Sequence, residues 1–191
     1  MTEVQILLYD GFDELDAVGP YEVFASASEE ADLSVSLVTL EPQERVTASH
    51  GLRVEPDGTL GEPDILVVPG GGWNDRDGPG AWTAAERGEV PDAIARLHEG
   101  GATVASVCTG GMLLARAGVL DGRPAVTHHG AIEDLREYDV EVREERVVDD
   151  GDVITAGGVT SGLDLALHLL ERLAGPEVAD QGARRMEYER R

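Results

Sequence analysis

Lysine is missing altogether: all 15 basic side chains are arginines, set against 38 acidic ones for a formal charge of −23 at pH 7. A chain this acidic repels nucleic acid and anionic membrane surfaces, so neither is expected as a partner. The one cysteine, Cys108, cannot close an internal disulfide or furnish a cysteine-rich zinc site, and no metal is expected. No apolar run approaches the roughly 20 residues that cross a bilayer. The only early apolar run, Val4–Tyr9, is bracketed by Glu3 and Asp10, unlike a signal peptide. These absences leave the cytoplasm as the expected compartment.

What is present is a folding pattern. The charges are interleaved with regular apolar runs rather than gathered in a block, which separates the chain from an acidic disordered segment. A hydrated carboxylate surface screened by counterions fits an environment of high salt. At 191 residues, 41% of them hydrophobic, the chain is expected to form a single domain over 1–191.

Strand and helix signals alternate. Val4–Tyr9, Leu33–Leu40, Ile65–Val68, Thr103–Val107, Ala125–His128, Val142–Val148 and Val153–Ala156 read as strands, with a hairpin excursion over Val46–Pro56. Helices are expected from Gly19-Pro20 through Ser28, over Val90–Glu99, Gly111–Ala117, Ala131–Leu135 and Ser161–Leu173, and from Pro176 onward; Asn74–Gly80 reads as loop. Alternating units imply an α/β fold, a doubly wound, mostly parallel sheet sandwiched by helices. Ligands in such sheets sit beyond the carboxyl ends of the strands, where Asp10–Asp16, Gly70–Gly72 and Cys108 all fall.

Cys108 stands between the apolar strand Ala105-Ser106-Val107 and the small residues Thr109-Gly110-Gly111. That is the strand-to-helix turn of a nucleophile elbow, with the helix N-terminus favouring a thiolate. A buried structural thiol is the bland alternative. Backbone N–H groups of Gly71 and Gly72, with that of Thr109, are candidates for an oxyanion hole. Asp16 reads either as a helix cap or as a buried proton-passing acid. Asp10 and Asp13 read as loop acids. His128 and His129, as neighbours on a strand, would point to opposite faces, so only one can approach Cys108. His50, His98 and His168 read as structural or surface residues.

Taken in order, Leu15-Asp16 with Gly19-Pro20, Val68-Pro69-Gly70-Gly71, Ser106-Val107-Cys108-Thr109-Gly110, Ala117–Arg123, Thr127-His128, Glu145–Val148 and Thr155–Asp164 resemble the ThiJ/PfpI superfamily. The resemblance implies a flavodoxin-like, class I glutamine amidotransferase-like fold and a homodimer. Asp16 in place of Glu, and Thr109 in place of His, look most like the isonitrile hydratase branch. His129 stands where that family usually has Trp. By resemblance the chain is expected to be a cofactor-free enzyme that hydrates a small-molecule isonitrile to an N-substituted formamide. Cys108, Asp16 and Thr109 would be catalytic; Gly71, Gly72 and His128 would bind the substrate or its oxyanion. The alternatives are a glyoxalase or deglycase acting on methylglyoxal-type carbonyls, a redox-sensing protein using Cys108, or a relict ligand-binding domain.

Overall fold

The computed structural model describes residues 1–191. The strands are β1 (Thr2–Leu7), β2 (Leu33–Thr39), β3 (Val46–Thr47), β4 (Arg53–Val54), β5 (Gly58–Thr59), β6 (Ile65–Val68), β7 (Thr103–Ser106), β8 (Arg123–Ala125), β9 (Val140–Val142), β10 (Val147–Asp149) and β11 (Val153–Ala156). The helices are α1 (Glu14–Ser26), α2 (Ala81–Arg87), α3 (Glu89–Glu99), α4 (Gly110–Arg116), α5 (Ile132–Leu135), α6 (Ser161–Ala174) and α7 (Pro176–Arg185). No helix is long and apolar enough to cross a membrane.

Seven strands form the central sheet in the order β10-β11-β7-β6-β1-β2-β5, parallel except for β10. Strands β1, β6, β7 and β11 are buried along most of their length because helices cover both faces. One core lies under α1, α6 and α7, built on Ile6, Phe24, Val67, Leu165 and Leu169. The other lies under α2 to α5, built on Leu66, Ile94, Val104, Leu113 and Leu135. From β1 the chain moves outward to β2, then returns to lay down β6, β7 and β11 on the other side. The switch point therefore falls between β1 and β6, where α/β sheets of this kind hold their ligands.

Four expectations need correction. Helix α1 begins at Glu14, not at Gly19-Pro20. The Asp13 side chain caps it by accepting from the Leu15 amide at 3.2 Å, and Pro20 lies in its interior. A proline there gives up a hydrogen bond to the carbonyl four residues back, that of Asp16. Pro20 and Gly19 instead pack against α6, where a Cβ on Gly19 would lie 3.3 Å from Leu163. Helix α2 was not anticipated; it is a short alanine-rich turn between Gly80 and Gly88, with Ala81, Ala84 and Ala85 buried. The stretch Val142–Val148 is two strands, because the charged residues 143–146 carry the chain from the small β8–β9 sheet to the edge of the large one. Finally, the strand expected over Ala125–His128 ends at Ala125, and the chain turns through a 3₁₀ helix at His129–Ala131.

Candidate active site

Cys108 follows β7 by two residues and has a φ of +56°, the left-handed region that costs a non-glycine residue roughly 1–2 kcal/mol. Its backbone is held from two sides. The amide donates to the carbonyls of Gly157 at 2.8 Å and Ala156 at 3.2 Å, at the end of β11. The carbonyl accepts from the Thr127 hydroxyl at 2.9 Å and from the Gly111 amide at 3.3 Å. Only glycine fits where the β6 loop meets this turn. A Cβ on Gly70 would fall 2.4 Å from the Thr109 nitrogen, and one on Gly110 would fall 2.1 Å from the Val68 carbonyl oxygen.

Asp16 is fully buried in the first turn of α1. Its Oδ2 accepts from the Gly70 amide at 2.9 Å, while Oδ1 has no partner in the protein. Asp13, not Asp16, caps the helix, which removes the cap reading of Asp16, and Asp16 is a buried acid. Burial pushes its carboxyl up to about 8, with the Asp13 charge adding to the rise and the Gly70 amide and the Cys108 thiol pulling against it. Burial also pushes the Cys108 thiol up, and the Asp16 charge adds to it; the Thr109 amide and hydroxyl pull the other way. The helix N-terminus was expected to favour a thiolate; burial of Cys108, 5% exposed, and the nearby Asp16 charge work against that.

The expected oxyanion donors divide. The Gly71 amide is committed to the Thr109 hydroxyl oxygen at 2.8 Å, so it is not free for a ligand. Thr109 therefore bonds to the Gly70–Gly72 loop rather than to Asp16. Its own amide pulls the Cys108 thiol down and has no backbone acceptor. The Gly72 amide makes no hydrogen bond within the chain.

His128 and His129 do not point to opposite faces. The chain has left the strand by this point, and their rings lie side by side, 4.1 Å apart and tilted by 37°. His128 Nδ1 accepts from the Gly130 amide at 3.0 Å, which leaves the proton on Nε2. Burial and the neighbouring His129 hold His128 below the ordinary imidazole value. Its ring packs against Gly158, next to the Gly157 carbonyl that holds the Cys108 amide.

The sequence reading passed over several residues of this site. The Tyr9 hydroxyl donates to the Pro69 carbonyl at 2.6 Å, and burial together with the charges of Asp16, Cys108 and Asp13 holds the phenol protonated. Thr127 was noted only as part of a motif, yet it braces the elbow. The Asp13 cap, with an acid three residues on, is a helix-start pattern that could have been found. Glu14 and the exposed His50 are paired at 2.7 Å, and Asp13 joins them in a cluster whose ligand-type atoms lie within 4.8 Å of one another. His98 and His168 pair with Asp152 and Asp149 on the β10–β11 turn. A cleft of about 450 Å³ lined by Tyr9, Leu40, Thr83 and Arg87 shares Tyr9 with this site but includes neither Cys108 nor Asp16.

Comparison with known proteins agrees with this architecture. The profile of the DJ-1/PfpI family matches residues 2–172. The chain is similar to an isonitrile hydratase of Pseudomonas putida, 35% identical over 97% of this chain and 78% of the relative. It is also similar to a glutathione-independent glyoxalase of Caenorhabditis elegans, 29% identical over 70% of each chain. Among solved structures, a ThiJ/PfpI family protein from Pseudomonas syringae superposes with a TM-score of 0.86 at 28% identity, covering 98% of this chain and 75% of the other.

Proposed function

The chain belongs to the DJ-1/PfpI family, and from that premise we propose that it hydrates an isonitrile to an N-substituted formamide, with Cys108 as nucleophile and Asp16 as proton relay. One observation carries the reading: a fully buried carboxyl with one unpartnered oxygen stands beside the chain's only thiol on a left-handed elbow. A carboxyl held neutral by burial can give a proton, and once ionised it can take the proton of the thiol.

In the first step Asp16 protonates the terminal isonitrile carbon while the sulfur attacks the same carbon and the thiol proton passes to Asp16. The product is a thioimidate, R–N=CH–S–Cys108, with Asp16 protonated again. In the second step water adds to that carbon, its proton passing to Asp16 as Asp16 protonates the nitrogen. The tetrahedral adduct then collapses: the C–S bond breaks, the hydroxyl proton returns to the sulfur, and the formamide leaves. The Thr109 amide supports the sulfur as it gains negative charge. No step calls on a metal or an organic cofactor.

The reading includes a homodimer. Leu15 and Val18, three residues apart on α1, are exposed apolar side chains of the kind a second copy would cover. Sedimentation at micromolar concentration tests this, a monomer alone counting against it. The activity is tested with a panel of an alkyl isonitrile, methylglyoxal and a peptide. Turnover of the isonitrile alone is expected, abolished by Cys108→Ser and reduced about 10²–10⁴-fold by Asp16→Asn. Turnover of methylglyoxal alone would replace hydration by the glyoxalase reading.

A further inference from the structure

We infer that Thr127 is the positioning residue of this site: its hydroxyl holds the Cys108 carbonyl and thereby keeps the nucleophile in the left-handed conformation that presents its sulfur to Asp16 and the Thr109 amide. The inference rests on Cys108 as the reactive group of the reading above, but not on the identity of the substrate.

A residue at φ +56° that is neither glycine nor asparagine returns to an ordinary conformation unless its neighbours hold both ends of its backbone. At the amino side, the Gly157 carbonyl takes the Cys108 amide at 2.8 Å. At the carboxyl side the helix supplies only the Gly111 amide at 3.3 Å, and the Thr127 hydroxyl at 2.9 Å is the closer partner. Thr127 is itself immobilised. It is 1% exposed, and the amide of the preceding Val126 is fixed by the Thr155 hydroxyl at 2.9 Å. A Cβ on Gly111 would lie 3.2 Å from the Thr127 side chain and 3.0 Å from the Val126 carbonyl oxygen. The threonine is thus wedged between β11 and α4, and its hydroxyl bonds the carbonyl of the reactive residue. The bond joins two segments 19 positions apart rather than closing a local turn.

Thr127→Val keeps the shape and removes the donor; Thr127→Ser keeps the donor. Because Cys108 is the only cysteine, iodoacetamide reports on it alone. In the Val variant the alkylation rate at a fixed alkaline pH is expected to fall about tenfold, as the sulfur is displaced from its place in the site. Isonitrile kcat should fall by about 10- to 100-fold, the range expected for a misplaced reacting group, with KM changed less than about twofold. Thr127→Ser should restore most of both. An alkylation rate for Thr127→Val equal to that of wild type overturns the inference, as does a Ser variant impaired as much as the Val variant. If Thr127→Val does not fold, Thr127→Ala and Thr127→Ser are compared instead, and equal reactivity of the two overturns it. Were the wild type to hydrate no isonitrile, the proposed activity would fall while the alkylation rates would still decide the role of Thr127.

Discussion

The Asp16 carboxyl takes the Gly70 amide on Oδ2 at 2.9 Å and leaves Oδ1, in the same fully buried place, without a partner. One oxygen is fixed by the loop after β6, and under the proposed function the other is the one that exchanges a proton at Cys108.

The pH dependence follows with a definite sign. A carboxyl raised from 3.8 to about 8 keeps its proton in the folded chain after the unfolded chain has lost its own. Its contribution to stability is fully present below the unfolded value and is lost as pH rises toward the folded one. Asp16→Asn has no proton to lose, so its gain in Tm over wild type should grow between pH 5 and pH 8, by about 2–4 °C for each kcal/mol recovered. The same variant removes the negative charge that raises the Cys108 thiol, so iodoacetamide alkylation at a fixed alkaline pH should become faster. A slower rate would show that Asp16 favours the thiolate.

At the N-terminus of α1, partial burial raises Glu14, but its bonds to the His50 side chain and amide outweigh it and hold the carboxyl at about 2. The Glu14 bond in turn raises His50. Glu14 contributes above its ordinary value of 4.5 and loses this as pH falls toward about 2. His50 contributes below 6.5 and loses this as pH rises through its raised value. The pair is therefore at full strength between those two ordinary values. An NMR titration should find His50 above a free imidazole, and Glu14→Gln should bring it down. An unmoved His50 would mean the contact does not persist in solution.

Gly70→Ala should damage both fold and site. The added methyl would meet the Thr109 nitrogen at 2.4 Å and the Gly110 nitrogen at 2.7 Å, and backbone cannot step aside as a side chain can. A loss of about 1–3 kcal/mol or more is expected, together with loss of turnover, since the Gly70 amide also holds Asp16. Gly58→Ala, with nothing within 4 Å of the added methyl, is the control. Equal stability of the two variants would show that the β6 loop does not sit against the elbow.

Net charge makes the last prediction. With 38 acidic and 15 basic side chains, the folded chain repels itself, and salt screens that repulsion. Tm should fall steadily as salt is lowered from molar to millimolar concentration. Full stability in dilute buffer would remove high salt as the explanation of the composition.

Much of the scaffold was legible because its signals are local. The apolar runs at Val4, Ile65 and Val153 are short and flanked by turn residues, which reads as buried strand, and Pro176 could open a helix because its first amide has no partner to lose. The elbow was legible for a similar reason, since a cysteine between an apolar strand and two glycines leaves few conformations. Pro20 was misleading because its local preference, the start of a helix, gave way to packing of α1 on α6. The Val142–Val148 run was misleading because periodicity does not say which sheet a strand joins. His128 and His129 were misread together once the strand that would have separated them ended early.

The sequence by itself determined the α/β alternation, the acidic composition, and the placement of Cys108 and Asp16 in the segments that follow β7 and β1, because these depend on residue type and on spacing of a few positions. Tertiary structure alone decided that the Gly71 amide is spent on Thr109, that Asp13 and not Asp16 caps the helix, that burial pushes the thiol up, and that Thr127 reaches Cys108. Hydrogen-bond partners and burial are fixed by which elements meet at the switch point. Contacts such as Asp16 to Gly70, 54 residues apart, exist only once β1 and β6 lie side by side.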